Sequence, residues 1–332
     1  MPGIKDRIAD TAYQLGWSVV CRLPERWAAG VFRWFADVAW RRQGPRVQTL
    51  EANLRRVLGP DADGQELRAV SRESMRSYAR YWLEVFRLPV IPVERLVSGM
   101  QEEGEIETTL GYIKAGRGVI FALPHMGNWD QAGAWIIARG AGSFTTVMER
   151  LKPESVYERF VAFREGLGME VLPASGGNSR FGVLAQRLRA GKVVCLPADR
   201  DVTGSGIEVS FFGEKARMMP GPAALAVQTG AALVPAILWY TDDGWGVYLY
   251  PEIEVPADGD RKQKAAVMTQ RLADVFAEGI RKHPADWHML QPVFTADLDQ
   301  ERLAASIARA QRAGAAPGEP GELGEPGEPG AA

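Results

Sequence analysis

His125 and Asp130 are the residues whose types and spacing most directly suggest chemistry. They stand five positions apart in the stretch VIFALPHMGNWD, residues 119 to 130. Val119, Ile120, Phe121 and Leu123 make an apolar run rich in β-branched and aromatic side chains, which reads as a buried strand ending at Pro124-His125. Gly127 and Asn128 permit a tight turn, and from Trp129 to Arg139 apolar residues recur at helical spacing (Ala132, Trp135, Ile136), so Asp130 falls in a first helical turn. In an open α/β sheet, ligands sit beyond the carboxyl ends of the strands, where a histidine at this exit meets them. Asp130, accepting a hydrogen bond from one ring nitrogen, would fix the tautomer and leave the other nitrogen to take a proton from a hydroxyl. No nucleophilic serine is required. The spacing also allows a plainer reading, with Asp130 as a helix N-terminal acid complementing the dipole and His125 as a turn histidine.

Other polar residues fall at comparable places. Glu149 closes the apolar run FTTVME and Asp199 follows VVCLPA, so both can reach the same crevice. Arg164, on the helix between them, offers a fixed and always charged donor fork. Each of these three equally suits a surface salt bridge, which contributes little. Arg200 and Asp201 either pair with one another or face solvent. Further on, Met218-Met219-Pro220-Gly221-Pro222 leads into a helix, where proline suits the first turn and free N–H groups can meet a phosphate or carbonyl oxygen. The flexible Met218 and Met219 suit a groove for an alkyl chain, or fill ordinary gaps. His283 and His288 have no acid at the spacing of His125 and Asp130, and nothing around them looks like a zinc ligand set, so local packing is expected. Cys21 and Cys195 lie in separate apolar segments, which suggests no disulfide framework and fits a reducing compartment. An acyl-carrying role for Cys195 is disfavoured, because no adjacent positive group lowers its pKa.

The His-x4-Asp pair, standing as HMGNWD, resembles the acid/base motif of the glycerolipid and lipid A acyltransferase superfamily. The flanks narrow the likeness to its phosphatidylinositol mannoside acyltransferase branch. FTTVMERLKPESVYERFVAFREGLGMEVLP, VVCLPADRDVTGSGIEVSFFGEKARMMPGPAALAVQTGAALVPA and HPADWHMLQPVF are similar to that branch in the same order, so the resemblance runs nearly to Phe294. It implies His125, Asp130 and Asp199 as catalytic residues, places Glu149 and Arg164 on the substrate side and puts Met218 and Pro220 near the acyl donor; Arg200 is kept as a second-tier substrate-side candidate from its position alone. Where this chain has Asp199 the family carries the longer glutamate, which puts that acid's contacts in doubt more than its presence. The implied reaction moves a long-chain acyl group from acyl-CoA directly to the 6-hydroxyl of a mannose of phosphatidylinositol mono- or dimannoside. It needs no metal and no cofactor beyond acyl-CoA as co-substrate. A lipid A acyltransferase with another acceptor, and an idle lipid-binding protein that kept the fold, remain the alternatives. The first is disfavoured by FTTVMERLKPES and the second by the intact His-Asp pair.

The elements that must position these residues are legible as alternating strands and helices. Strands are expected at Phe144 to Glu149, Met169 to Ala174, Lys192 to Asp199, Ala232 to Tyr240 and, as a strand or hairpin arm, Trp245 to Val255. Helices are expected at Pro153 to Gly166, Ser179 to Ala190, Pro220 to Thr229 and Arg261 to Lys282. Such alternation predicts an α/β fold, a largely parallel central sheet flanked by helices. Ahead of it, Ile4 to Val19, a stripe through Trp27, Val31, Trp34, Phe35 and Val38, Val47 to Leu58, and Glu66 to Leu88 read as amphipathic helices forming an N-terminal cap. The aromatic stripe of the last of these (Tyr78, Trp82, Phe86) is expected in the core. The chain thus divides into a cap over 1–100, an α/β core over 101–300 and a helix end with a tail over 301–332. From Gly314 the tail is Gly, Pro and Glu, a composition that cannot bury a core and is expected to be disordered.

Residues 1–60 hold ten Lys and Arg against five Asp and Glu, so the front of the chain is basic although the net charge is −2. Trp17, Trp27, Trp34 and Trp40 lie among those charges, a pattern suited to a membrane interface. No apolar run is long enough to span a bilayer and no nucleic-acid motif is present, so peripheral attachment to the cytoplasmic face of the cell membrane is the expectation. The oligomeric state is not legible.

Overall fold

In the run that leads to His125, every residue from Val119 to Leu123 is buried, as a strand covered on both faces requires. The computed structural model describes residues 20–150, 154–173, 179–201 and 206–312. The strands are β1 Met100–Gly104, β2 Val119–Leu123, β3 Phe144–Met148, β4 Met169–Pro173, β5 Val193–Pro197, β6 Ile207–Phe211, β7 Glu214–Met218, β8 Ala232–Tyr240 and β9 Trp245–Leu249. Seven form one sheet in the order β1-β9-β8-β2-β5-β3-β4. β2 lies parallel to β5 and β8, and β3 parallel to β4 and β5; only β9, antiparallel to β8, and β1, parallel to β9, run the other way. The sheet is largely parallel, as the alternation predicted.

Successive residues of β2 serve opposite sides. Ile120 and Ala122 belong to one core cluster, with Met268, Leu272 and Phe276 of the helix α10 (Arg261–Lys282). Val119, Phe121 and Leu123 belong to another, with Ala134, Trp135 and Ile136 of α6 (Trp129–Ile136). Helices therefore cover both faces. They include α7 (Glu154–Gly166), α8 (Ser179–Arg189) and α9 (Gly221–Thr229), and the chain's described part ends in α11 (Gln300–Arg312).

Ahead of the sheet lie α1 (Glu25–Arg42), α2 (Pro45–Leu58), α3 (Gly64–Arg87), the short α4 (Val93–Ser98) and α5 (Ile106–Lys114). Asn53 of α2 donates from Nδ2 to the carbonyls of Met289 and Gln291, both at 2.9 Å, which fastens the helical layer to the segment that closes the fold. On α3, Leu67, Met75 and Val85 are buried as expected of a core stripe. Tyr78 and Trp82 are half-buried against the core cluster of Tyr81, Val85 and Phe160, and with Phe86 they also line an apolar groove together with Phe32 and Phe35. The stripe at Ile4 to Val19, Trp17, the strand end at Ala174 and the tail from Gly314 lie outside the described residues.

Five elements were not foreseen: α4, β1, α5, β6 and β7. β1 is MQEEG, exposed along most of its length at the sheet edge, and α5 follows it directly. β6 and β7 form a hairpin across Phe212-Gly213, both with positive φ (52° and 82°), the backbone of a tight two-residue turn.

Candidate active site

The turn between β2 and α6 is shaped by close approach. Gly127 has φ +58°, and a Cβ there would lie 2.9 Å from both the carbonyl carbon and Cβ of Leu238. Its N–H donates to the Asp286 carbonyl (3.0 Å), while His288 N–H donates to the His125 carbonyl at 2.8 Å, so the turn is laced to residues 286–288. Asn128 caps α6, its side chain accepting from Gln131 N–H and donating to Glu84. The corner is thus fixed from three sides, a condition for holding a base in one geometry.

The His125 ring is paired with Asp199, not with Asp130. Nδ1 lies 2.6 Å from Asp199 Oδ1, and Asp199 Oδ2 accepts from the His125 backbone N–H and from Trp287 Nε1–H, both at 2.9 Å. Asp199 is fully buried, whereas the His125 side chain keeps 24% of its surface exposed. Burial opposes ionisation of Asp199, but attraction to His125, the hydrogen bonds from its ring, the Trp287 indole and the His125 backbone N–H outweigh it and hold the carboxyl below its usual range. A carboxylate on Nδ1 makes that nitrogen the donor and leaves the lone pair on Nε2, the state of a general base.

Asp130 has other partners. Arg164 of α7 donates from Nε to Oδ1 (2.6 Å) and from Nη2 to Oδ2 (3.0 Å), and the Tyr81 hydroxyl of α3 donates to Oδ2 (2.9 Å). The expected hydrogen bond from the imidazole N–H to Asp130 is therefore corrected: the first turn of α6 directs this carboxylate to α3 and α7. Its link to His125 is indirect, through Tyr81, whose ring lies tilted against Trp129 at 4.0 Å, and Trp129 in turn meets His125 edge-on at 5.7 Å. Burial works against the Arg164 charge, yet Asp130 more than compensates and raises its pKa. The buried Tyr81 phenol is pushed well up by burial and by the Asp130 charge, so it stays a donor.

The family model for bacterial lipid A biosynthesis acyltransferases matches residues 5–296. This chain belongs to that family. It is 49% identical over 300 residues to the phosphatidylinositol mannoside acyltransferase of Mycolicibacterium smegmatis, covering 90% of this chain and 95% of that one. With the phosphatidylinositol mannoside acyltransferase of Mycobacterium tuberculosis (strain H37Rv) it shares 50% identity over 299 residues, 89% of this chain and 91% of the relative.

In this acyltransferase a cavity of about 90 Å³ lies between α6 and the face of the sheet, lined by Leu123, Phe121, Cys195, Phe144 and Met169, with Asp130 and Arg164 also on its wall. Its lining is mostly apolar, with Thr146 and that ion pair as polar parts. The Cys195 thiol is held up by burial and stays protonated, as a packing residue.

The remaining expected residues divide. Glu149, just past β3, is exposed and stands 3.7 Å from Arg200 Nη2, just past β5, so the carboxyl ends of two strands are bridged by a loose ion pair. Arg200 thus does not pair with Asp201, which instead accepts from Gly206 N–H and faces Arg217. Met218 is corrected from a substrate groove to the core: it is fully buried on the side of the sheet away from the cavity. Pro220 is the N-cap of α9, its carbonyl accepting from Ala224 N–H. His283 stacks on Trp239 at 4.7 Å and His288 is buried against Ser77, whose Oγ lies 2.8 Å from Nε2 and 2.6 Å from Asp286.

Tyr81 and Trp287 were missed as site residues. Tyr81 sits in an α3 segment read only as core, and nothing in local spacing tells a packing tyrosine from one that donates to a carboxylate. Trp287 lies in HPADWHMLQPVF, a segment flagged by resemblance, but its partner Asp199 is 88 positions away.

Proposed function

We propose that this chain transfers a long-chain acyl group from acyl-CoA to the 6-hydroxyl of a mannose of phosphatidylinositol mono- or dimannoside, with His125 as general base. His125 Nε2 takes the proton of the mannose hydroxyl as its oxygen attacks the thioester carbonyl. The tetrahedral oxyanion then collapses, the C–S bond breaks, and the imidazolium returns its proton to the departing CoA sulfur. Asp199 holds the ring and stabilises the imidazolium between those two transfers. Transfer is direct, since among the described residues the site offers a base and no activated nucleophile beside it.

The observation that carries this reading is the buried Asp199 on the Nδ1 side of a part-exposed His125, at a strand exit beside an apolar cavity. The mannoside acceptor is supported by the names of the relatives, and a lipid surface by the exposed Trp27, Val31, Trp34 and Phe35 of α1. No helix among the described residues is long and apolar enough to cross a membrane, so attachment by that face, on the cytoplasmic side, completes the proposal. The test is His125→Ala assayed with palmitoyl-CoA and a panel of glycolipids, products read by mass spectrometry. The expected result is a loss of about 10² to 10⁴-fold in turnover with the fold retained. Near-normal turnover would sink the mechanism, and acylation of lipid A precursors in preference to the mannosides would reassign the acceptor.

A further inference from the structure

One stripe of α3 faces the turn that carries His125. Ser77, Tyr81 and Glu84 stand at intervals of four and three along this helix, which puts them on one side of it. Ser77 donates to Asp286 and Tyr81 to Asp130. Glu84 meets Asn128, which lies between His125 and Asp130 in the chain: Asn128 Nδ2 donates to Glu84 Oε2 at 2.8 Å. The same oxygen accepts from Trp245 Nε1 at 2.7 Å, and Oε1 accepts from Arg80 Nε at 2.7 Å. The Glu84 side chain is only 13% exposed. Three donors thus converge on a carboxylate that water scarcely reaches, where charge-assisted bonds are strong.

The other two donors tie Glu84 to the neighbouring turn. β8 runs parallel to β2, so its turn into β9 lies at the same end of the sheet as His125. Trp245 opens β9. Arg80 donates to the carbonyls of Thr241 (2.9 Å) and Gly244 (2.8 Å) in that turn, and its guanidinium lies 4.1 Å from the centre of the Tyr240 ring. Both ends of the Asn128 amide are in use, the oxygen on Gln131 N–H and the nitrogen on Glu84. We infer that Glu84 is a positioning residue for the transfer: it holds Asn128, and so the turn that presents His125, against the β8–β9 turn. This role rests on the acyl-transfer reading of His125. The plainer role, an ion pair with Arg80 one helical turn away on α3, gives a different pattern of losses.

Three variants separate the two roles. Glu84→Ala removes both the bond to Asn128 and the ion pair. Glu84→Gln loses the charge facing Arg80 but keeps an oxygen that can accept from Asn128 and Trp245. Asn128→Asp keeps the cap of α6, since aspartate caps as well as asparagine, but sets a second carboxylate against Glu84. With palmitoyl-CoA and phosphatidylinositol dimannoside in mixed micelles, Glu84→Ala and Asn128→Asp should each lower kcat roughly tenfold or more, as a small misplacement of a reacting group costs up to about 10²-fold. KM for palmitoyl-CoA should change little. Glu84→Gln should recover most of the kcat lost in Glu84→Ala although its Tm also falls. Amide hydrogen exchange reads the turn without catalysis: Glu84→Ala should speed exchange at Gly127 and His288, whose N–H groups bond across it, and Glu84→Gln should not. If the wild type acylates no acceptor while exchange follows this pattern, the reaction assignment falls and the hold on the turn stands. If Glu84→Ala does not fold, Asn128→Asp must lower kcat and speed that exchange. Wild-type kcat in the variants of an active enzyme overturns the inference. So does a Glu84→Gln variant as impaired in kcat and exchange as Glu84→Ala, which would leave Glu84 only its ion pair.

Discussion

Trp287 is fully buried, and its indole holds one oxygen of Asp199. Removing that donor in Trp287→Phe leaves the carboxylate one hydrogen bond short inside the protein, where each counts most. Asp199, which that hydrogen bond helps to keep ionised, then binds a proton more readily, so the acidic limb of the kcat profile should move to higher pH. Turnover should fall about tenfold or more, the usual cost of removing a group that orients a catalytic ligand, with little change in KM for the donor. Wild-type kcat with an unmoved limb would make Trp287 mere packing. His288, its neighbour, carries a different consequence. Burial, followed by repulsion from His125, lowers its pKa to about 3 from an ordinary 6.5. The unfolded chain therefore takes up a proton below that ordinary value while the folded chain does not, so stability complete above it drains as pH falls toward the folded value. By about pH 5 the loss attributable to this group is roughly 2 kcal/mol. Asp286 beside it, raised by burial, acts in the opposite sense. Urea denaturation at neutral and acid pH of wild type and His288→Gln isolates the histidine: the variant should lose less stability on acidification. Parallel losses would mean that His288 is already charged in the fold.

Between elements, the Asp130–Arg164–Tyr81 cluster ties α6, α7 and α3 together. Arg164 is 12% exposed on its side chain and Asp130 2%, so Asp130→Asn leaves a guanidinium without its counter-charge in the interior. Breaking such a pair from one side typically costs about 3 to 5 kcal/mol. Loss of stability in denaturant should therefore accompany any loss of turnover. A variant of unchanged stability but abolished turnover would instead return Asp130 to the chemistry. This cluster also marks where sequence reading ends. The strand, turn and helix around His125 were legible because their signals are local: a run of apolar residues, a glycine at the bend, an asparagine at the cap. Asp199 was found as an acid at a strand exit, but which acid meets the imidazole depends on β5 lying beside β2, a pairing across 74 residues. Met218 failed for a related reason. Flexible methionine before a helix suits a groove or a core alike, and only the packing of the β6–β7 hairpin decides. β1 was missed because an edge strand facing solvent need not carry an apolar pattern.

For the whole molecule, the mannoside acceptor imposes a constraint: its lipid chains stay in a bilayer, so the crevice at His125 must be brought to that surface. Trp27, Val31, Trp34 and Phe35 recur at intervals of four, three and one along α1 and are 65%, 46%, 58% and 59% exposed. Exposed aromatics in such a stripe are out of place in water alone. Arg26, Arg33, Arg41 and Arg42 are exposed on the same helix, the partners that anionic headgroups attract at about 1 kcal/mol each near the surface. The groove of Tyr78, Trp82 and Phe86 starts at this helix. From Tyr78 the rings continue through Tyr81 and Trp129 to His125, so the apolar face and the base are joined by one aromatic path. The enzyme should therefore co-sediment with anionic vesicles and release as salt rises, since exposed charge is screened. Replacing Trp27 and Trp34 by serine should reduce binding, and should reduce activity on vesicle-borne acceptor more than on detergent-dispersed acceptor, with thermal stability unchanged because both side chains stand mostly in solvent. Equal losses in the two assays together with a lower Tm would show these tryptophans to be packed, and the attachment surface would then have to lie elsewhere on the molecule.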